Sequence, residues 1–69
     1  MNYYCRILTN TGEWYTYCCW GVTLDHAKTK VGLYMTDVEG VCLRDIVDWY
    51  LVPWEWDKHG NPNFVETLS

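Results

Sequence analysis

Basic residues are few in this 69-residue chain, which has five Lys and Arg against nine Asp and Glu and a formal net charge of -4. Protein contacts with a nucleic-acid backbone depend on clustered Lys and Arg. The five cations here are scattered along the chain. The composition therefore argues against direct nucleic-acid binding.

Long apolar runs are also missing, since no stretch approaches the roughly 18 residues that a membrane-spanning helix needs. The opening MNYYCRILTN lacks the basic and apolar regions of a signal peptide. We therefore expect a cytoplasmic protein without membrane contact. In the absence of an export signal, the four cysteines are predicted to be free thiols that behave as small buried apolar groups: Cys5, Cys18, Cys19 and Cys42.

The sequence also lacks recognisable motifs for catalysis and for cofactor binding. Neither G-x-x-x-x-G-K-[ST] nor G-x-G-x-x-G occurs. Cys18 and Cys19 are adjacent, and adjacent side chains of a strand point to opposite faces, so they are poorly placed to share a zinc ion. A Cys19–His26 pair lacks an identifiable orienting residue. We predict no catalytic site, no metal and no cofactor.

What the chain does contain is the pattern of one small domain, residues 1–69. Alternating apolar and aromatic residues predict a β-hairpin over residues 2–20, with Gly12 in its loop. Thr23 is a suitable N-cap for a helix over residues 24–33, whose Leu24, Ala27 and Val31 would meet the sheet.

Residues 41–52 fit both a strand and a helix, because β-branched and aromatic residues also recur there at helical spacing. We favour a strand that bends near Arg44 and Asp45 and ends at Pro53. The tail, residues 53–69, contains a series of turn residues and room for one short strand around residues 63–67. The predicted fold is α+β, of ββαβ(β) type: an antiparallel sheet of three to four strands with one helix on one face.

Aromatic residues are the unusual surplus, at 17% of the chain with five Trp and six Tyr. A core this small cannot hide so many rings, and exposed aromatic clusters usually mark contact surfaces. In an extended segment, Trp54 and Trp56 would point the same way. Acids of the second half could meet a basic surface on a partner. The predicted partner-binding residues are Trp54, Trp56, Asp45, Asp48, Glu55 and Asp57.

The stretch CRILTNTGEWYTYCCWGVTLDHAKTKV followed by VCLRDIVDWYLV resembles small phage proteins, among them anti-CRISPR inhibitors of ββαβ layout. The likeness lies in size and order of elements over roughly residues 2–52. It implies a phage-encoded protein in the host cytoplasm that disables a defence component by stoichiometric binding. Inhibitors of this layout often use basic residues, and this chain departs from them by being acidic.

These observations lead to two hypotheses. The first is a non-enzymatic inhibitor that binds a host protein or nucleoprotein complex, such as a CRISPR effector. The alternative is a small protein that binds or sequesters a ligand, with aromatic rings lining a pocket between protomers. An exposed sheet edge leaves a homodimer open in either case.

Overall fold

The first two strands form the predicted hairpin. In the computed structural model, which describes residues 1–68, β1 (Asn2–Thr9) pairs antiparallel with β2 (Trp14–Trp20). Gly12 adopts a φ of 84° in the connecting turn, a conformation that favours glycine over any residue with a Cβ. Strand alternation then sends Tyr3, Cys5 and Ile7 into the core and their neighbours to the opposite face.

The ambiguous segment forms a strand. β3 (Ile46–Pro53) pairs antiparallel with β1, after a single 3-10 turn at Leu43–Asp45. An irregularity in the pairing falls between Leu8 and Thr9. The predicted bend near Arg44 and Asp45 is therefore this short helical turn at the entrance to β3.

The last strand makes the sheet mixed, which corrects the expected all-antiparallel arrangement. β4 (Glu66–Leu68) pairs parallel with β2, and the strand order is β3-β1-β2-β4. β3 and β4 lie at opposite edges, so the chain between them must cross the sheet before β4 enters. The Tyr34 hydroxyl donates to the Glu66 carboxylate, which ties β4 to the helix described next.

A helix covers one face of the sheet. α1 (Leu24–Tyr34) is capped by Thr23, whose hydroxyl accepts the His26 N–H, and it continues into a π-helical turn at Met35–Glu39. The buried stripe of α1 and this turn is Ala27, Val31 and Met35, spaced four residues apart. Leu24 is exposed, which corrects the prediction that it meets the sheet: it is the first residue of α1, and burial begins one turn later at Ala27.

The fold class is α+β, as predicted. The protein also has a second, unpredicted helix, which lies among the turn residues of the tail. α2 (Trp56–His59) is a single turn, followed by a 3-10 turn at Pro62–Phe64.

Cys5, Cys18 and Cys19 are buried free thiols as expected. Cys42 is exposed, since it lies in the loop before β3 rather than in a strand.

Candidate binding surface

The face of the sheet opposite α1 carries a group of aromatic and basic side chains. Tyr4 and Arg6 alternate with the core residues of β1, while Trp14 and Tyr50 occupy the same face of β2 and β3. His59 of α2 packs onto this group from above. We define the aromatic patch as Tyr4, Arg6, Trp14, Tyr50 and His59.

Short contacts order the patch internally. The Arg6 guanidinium lies 4.1 Å from the centre of the Trp14 ring, within cation–π range. Tyr4 and Tyr50 meet edge to face with ring centres 6.0 Å apart. Both contacts cross from one strand to the next, so pairing within the sheet sets the spacing of the rings.

α2 and the residues before it hold one side of the patch. The His59 ring stacks on Tyr4 with centres 4.1 Å apart and an interplanar angle of 7°. Its Nδ1 accepts the Glu55 N–H at 3.0 Å. The Trp54 indole donates to the Gly60 carbonyl at 2.7 Å and meets Tyr4 edge to face. The four contacts fix α2 against the sheet.

Between α2 and the β2 side of the sheet lies a concavity of about 400 Å³. Its lining consists of the aromatic patch with Asp48 and Lys58. The fixed charges of the lining are two cations and one carboxylate, although the whole chain is acidic. Lys58 is itself paired with Glu55 at 3.1 Å, which leaves Arg6 as the cation nearest the open rings.

The two predicted contact tryptophans have different environments. Trp54 is half-buried and hydrogen-bonded, so its ring supports the patch. Trp56 begins α2 and is exposed. The expected extended segment ends before Trp56, because the chain turns there into a helix.

The four predicted contact acids do not form one surface. Asp45 precedes β3, and its carboxylate accepts from the Asn10 side chain near the hairpin turn. Glu55 and Asp57 follow β3, whose eight residues separate them from Asp45 by roughly 26 Å of strand. Asp48 alone among the four lines the concavity.

Sequence reasoning missed the open-face residues as a site, although alternation already put Tyr4 with Arg6 on one side of β1. Alternation along β2 places Trp14 and Trp20 on the same face as Tyr4 and Arg6, but only Trp14 belongs to the aromatic patch. Trp20 instead lies beside α1, with its ring near His26 and with Lys30 donating to its carbonyl at 2.7 Å. Tertiary packing at the strand end decides this difference.

The candidate dyad of Cys19 and His26 is not arranged for catalysis. Cys19 Sγ points to the Ala27 carbonyl at 3.8 Å, and burial raises the pKa of its thiol. The Nδ1 atom of His26 accepts the Val22 N–H at 3.0 Å. The thiol is therefore held in its protonated, weakly nucleophilic form.

A second concavity, of about 510 Å³, lies on the other side of the sheet, between α1 and the segment leading into β3. Leu33, Leu43 and Trp49 give it apolar walls, and Lys28 stands over the Trp49 ring at 5.1 Å.

Within residues 1–68, no three His, Cys, Asp or Glu side chains come together as metal ligands. None of the helices in that part of the chain has the length and apolarity to span a membrane.

Comparison of the chain with protein families, with curated proteins and with solved structures gave no match.

Proposed function

We propose that this protein acts by stoichiometric binding to a partner protein, and that the aromatic patch is its contact surface. The observation that carries the proposal is that Trp14, Tyr50 and Arg6 lie together, exposed, on an ordered sheet. These are the residue types that most often dominate the binding energy of protein interfaces.

Order within the patch supports this proposal. Arg6 is already stacked against Trp14, and Tyr4 is clamped by His59, so few side chains would lose freedom on binding. A partner that covers Trp14 and Tyr50 would remove large apolar area from water without rearranging the sheet. The net charge of -4 on the whole chain favours approach of a partner with basic groups around its contact site.

The resemblance to small phage inhibitors indicates which partner to test first. A host defence nucleoprotein, such as a CRISPR effector complex, exposes basic surfaces where it holds nucleic acid. A protein with a net charge of -4 and an aromatic contact surface would occupy such a surface without itself binding nucleic acid. The proposed class is therefore a non-enzymatic, phage-encoded inhibitor of a defence complex.

The test compares two tryptophans of the same strand. Trp14 is 50% exposed and lies in the patch, while Trp20 is 49% exposed and lies beside α1. Purified wild-type protein is titrated against guide-loaded CRISPR effector complexes, and both binding and target cleavage are measured. We expect Trp14→Ala to weaken binding at least about tenfold, or about 1.4 kcal/mol. Trp20→Ala should bind as the wild type does.

Two results would contradict the proposal. Equal binding by Trp14→Ala and wild type would reject the patch as the contact surface. Uninhibited cleavage at excess protein, across effector complexes of different types, would reject the defence complex as partner.

A small planar ligand is the second candidate occupant of the same place. The 400 Å³ concavity falls in the size range of ligand pockets and is walled by rings on several sides. Native mass spectrometry of protein purified without denaturation would show a bound small molecule as added mass. If the concavity holds such a ligand, the mass should disappear in Trp14→Ala. A spectrum of ligand-free protein only would speak against this candidate.

A further inference from the structure

β3 is the long unpaired edge of the sheet. In the order β3-β1-β2-β4 the other edge is β4, which has only three residues. Very short edge strands rarely accept another strand, whereas an eight-residue edge presents a row of free N–H and C=O groups. Strand addition to this molecule is therefore favoured at β3.

The register identifies which backbone groups face outward. The Trp54 N–H donates to the Asn2 carbonyl at 2.9 Å, and antiparallel pairs alternate between bonded and non-bonded. Val52 and Tyr50 therefore bond to β1, while Leu51 and Trp49 direct their N–H and C=O groups away from it. Pro53 has no N–H to offer, so it closes one end of the free edge.

We propose that a second copy of this chain pairs antiparallel along β3, with the two-fold axis at Trp49. This register places Asp48 opposite Tyr50 of the second copy, where the phenol can donate to the carboxylate. If the strands were shifted by two residues in one direction, Asp48 would lie opposite Asp48 of the second copy, and the two like charges would repel each other.

Apolar side chains flank the same edge and need a cover. Val47 of β3 is 60% exposed, and Leu43 just before the strand is exposed as well. The apolar concavity that Leu43 and Trp49 help to line opens beside them. Pairing at β3 would remove part of this apolar surface from water, in addition to joining the backbones.

The consequence is one continuous sheet with the same face of each copy on the same side. The two-fold axis of an antiparallel strand pair stands perpendicular to the sheet, so both aromatic patches would face one direction. The inference goes beyond the proposed binding function and rests on the register of β3 and on the side chains along that edge. Its test uses no partner, so its failure is distinguishable from failure of that function.

The experiment measures molar mass by light scattering across a dilution series of the wild type and two valine variants. Val47 at the edge and Val38 on the π-helical turn are 60% and 61% exposed, which makes Val38→Lys a matched control for Val47→Lys. We expect a wild-type dimer that dissociates on dilution. Val47→Lys should raise the dissociation constant about tenfold or more, because its ammonium would be taken into the interface. Val38→Lys should leave the constant unchanged.

Amide exchange then reports whether β3 is the interface. In the dimer, the Trp49 and Leu51 N–H groups should exchange slowly, and dilution should speed their exchange without affecting the core amides of β1. A monomer at every concentration would overturn the inference. A dimer with fast Trp49 and Leu51 exchange, or one unaffected by Val47→Lys, would overturn it as well.

Discussion

Gly21→Ala is expected to lower the free energy of unfolding by about 3 kcal/mol. A Cβ at this buried position would lie 2.8 Å from the Ala27 nitrogen and 2.9 Å from the Thr23 carbonyl oxygen. Both atoms belong to the backbone at the start of α1, so no side-chain rotation can make room. The added methyl group would push the helix N-terminus off the hairpin.

Gly21 is also where the chain start is fastened. Its N–H donates to the Met1 carbonyl at 3.0 Å, and the Met1 amino group donates to the Gly21 carbonyl at 3.3 Å. A shift of the Gly21 backbone would therefore disturb the first residues of β1 together with α1. Both elements contribute to the core, which explains why one methyl group should have so large an effect.

Gly32→Ala provides the control. Gly32 is a buried glycine within α1, and the Cβ added there would meet side chains rather than backbone atoms. A Cβ there meets the tip of the exposed Leu43 side chain at 3.2 Å, and that side chain is free to turn away. Alanine is a better helix former than glycine by about 1 kcal/mol. We expect Gly32→Ala to be neutral or to stabilise the protein by up to about that amount.

Thermal unfolding followed by circular dichroism would measure both variants. For a domain of this size, a loss of about 3 kcal/mol corresponds to a fall in Tm of roughly 12–24 °C. Similar melting temperatures for Gly21→Ala and wild type would mean that α1 and the hairpin are less tightly joined than the structure indicates.

The parts of the fold that local pattern controls were predictable. Alternation and a glycine turn predicted the hairpin, and a capped apolar periodicity predicted α1 within one residue of its observed end at Tyr34. α2 was not predictable in the same way, because four residues are too few to show a helical period. Its stability comes from tertiary contacts, such as the stacking of His59 on Tyr4.

The candidate site was predictable only in part. The aromatic surplus correctly predicted exposed rings, since Trp14, Trp20 and Trp56 all remain exposed. It could not show which rings lie together, because that depends on the pairing of β1 with β3, some 45 residues apart in sequence. Trp54 and Trp56 were predicted to act together because they are close in sequence. In the structure Trp54 is half-buried and supports the patch, whereas Trp56 is exposed to solvent.

Alkaline pH is expected to destabilise the protein strongly, because its core contains protonated thiols. Burial, with a smaller contribution from neighbouring Cys19, raises the pKa of the Cys5 thiol from 9.0 to about 12. Burial also raises the pKa of Cys18 and of Cys19. These groups ionise in the unfolded chain at lower pH than in the folded protein.

The direction of the effect follows from proton linkage. Below pH 9 the Cys5 thiol is protonated in both states, and its contribution to stability is complete. Above pH 9 the unfolded chain loses this proton first, so the free energy of unfolding falls by about 1.4 kcal/mol per pH unit until the folded pKa is reached. Cys5 alone accounts for a loss of about 4 kcal/mol by pH 12, which is comparable with the total stability of a small domain.

Urea unfolding under reducing conditions, repeated at steps between neutral pH and pH 12, would measure this slope. Cys5→Ala should be less stable at neutral pH, because it leaves a small cavity, but its stability should fall less steeply above pH 9. Cys42→Ala is the matched control, and it should keep the wild-type slope because its sulfur is exposed to water in the folded protein too. If Cys5→Ala and wild type lost stability in parallel, Cys5 would not be the buried protonated thiol on which the linkage depends.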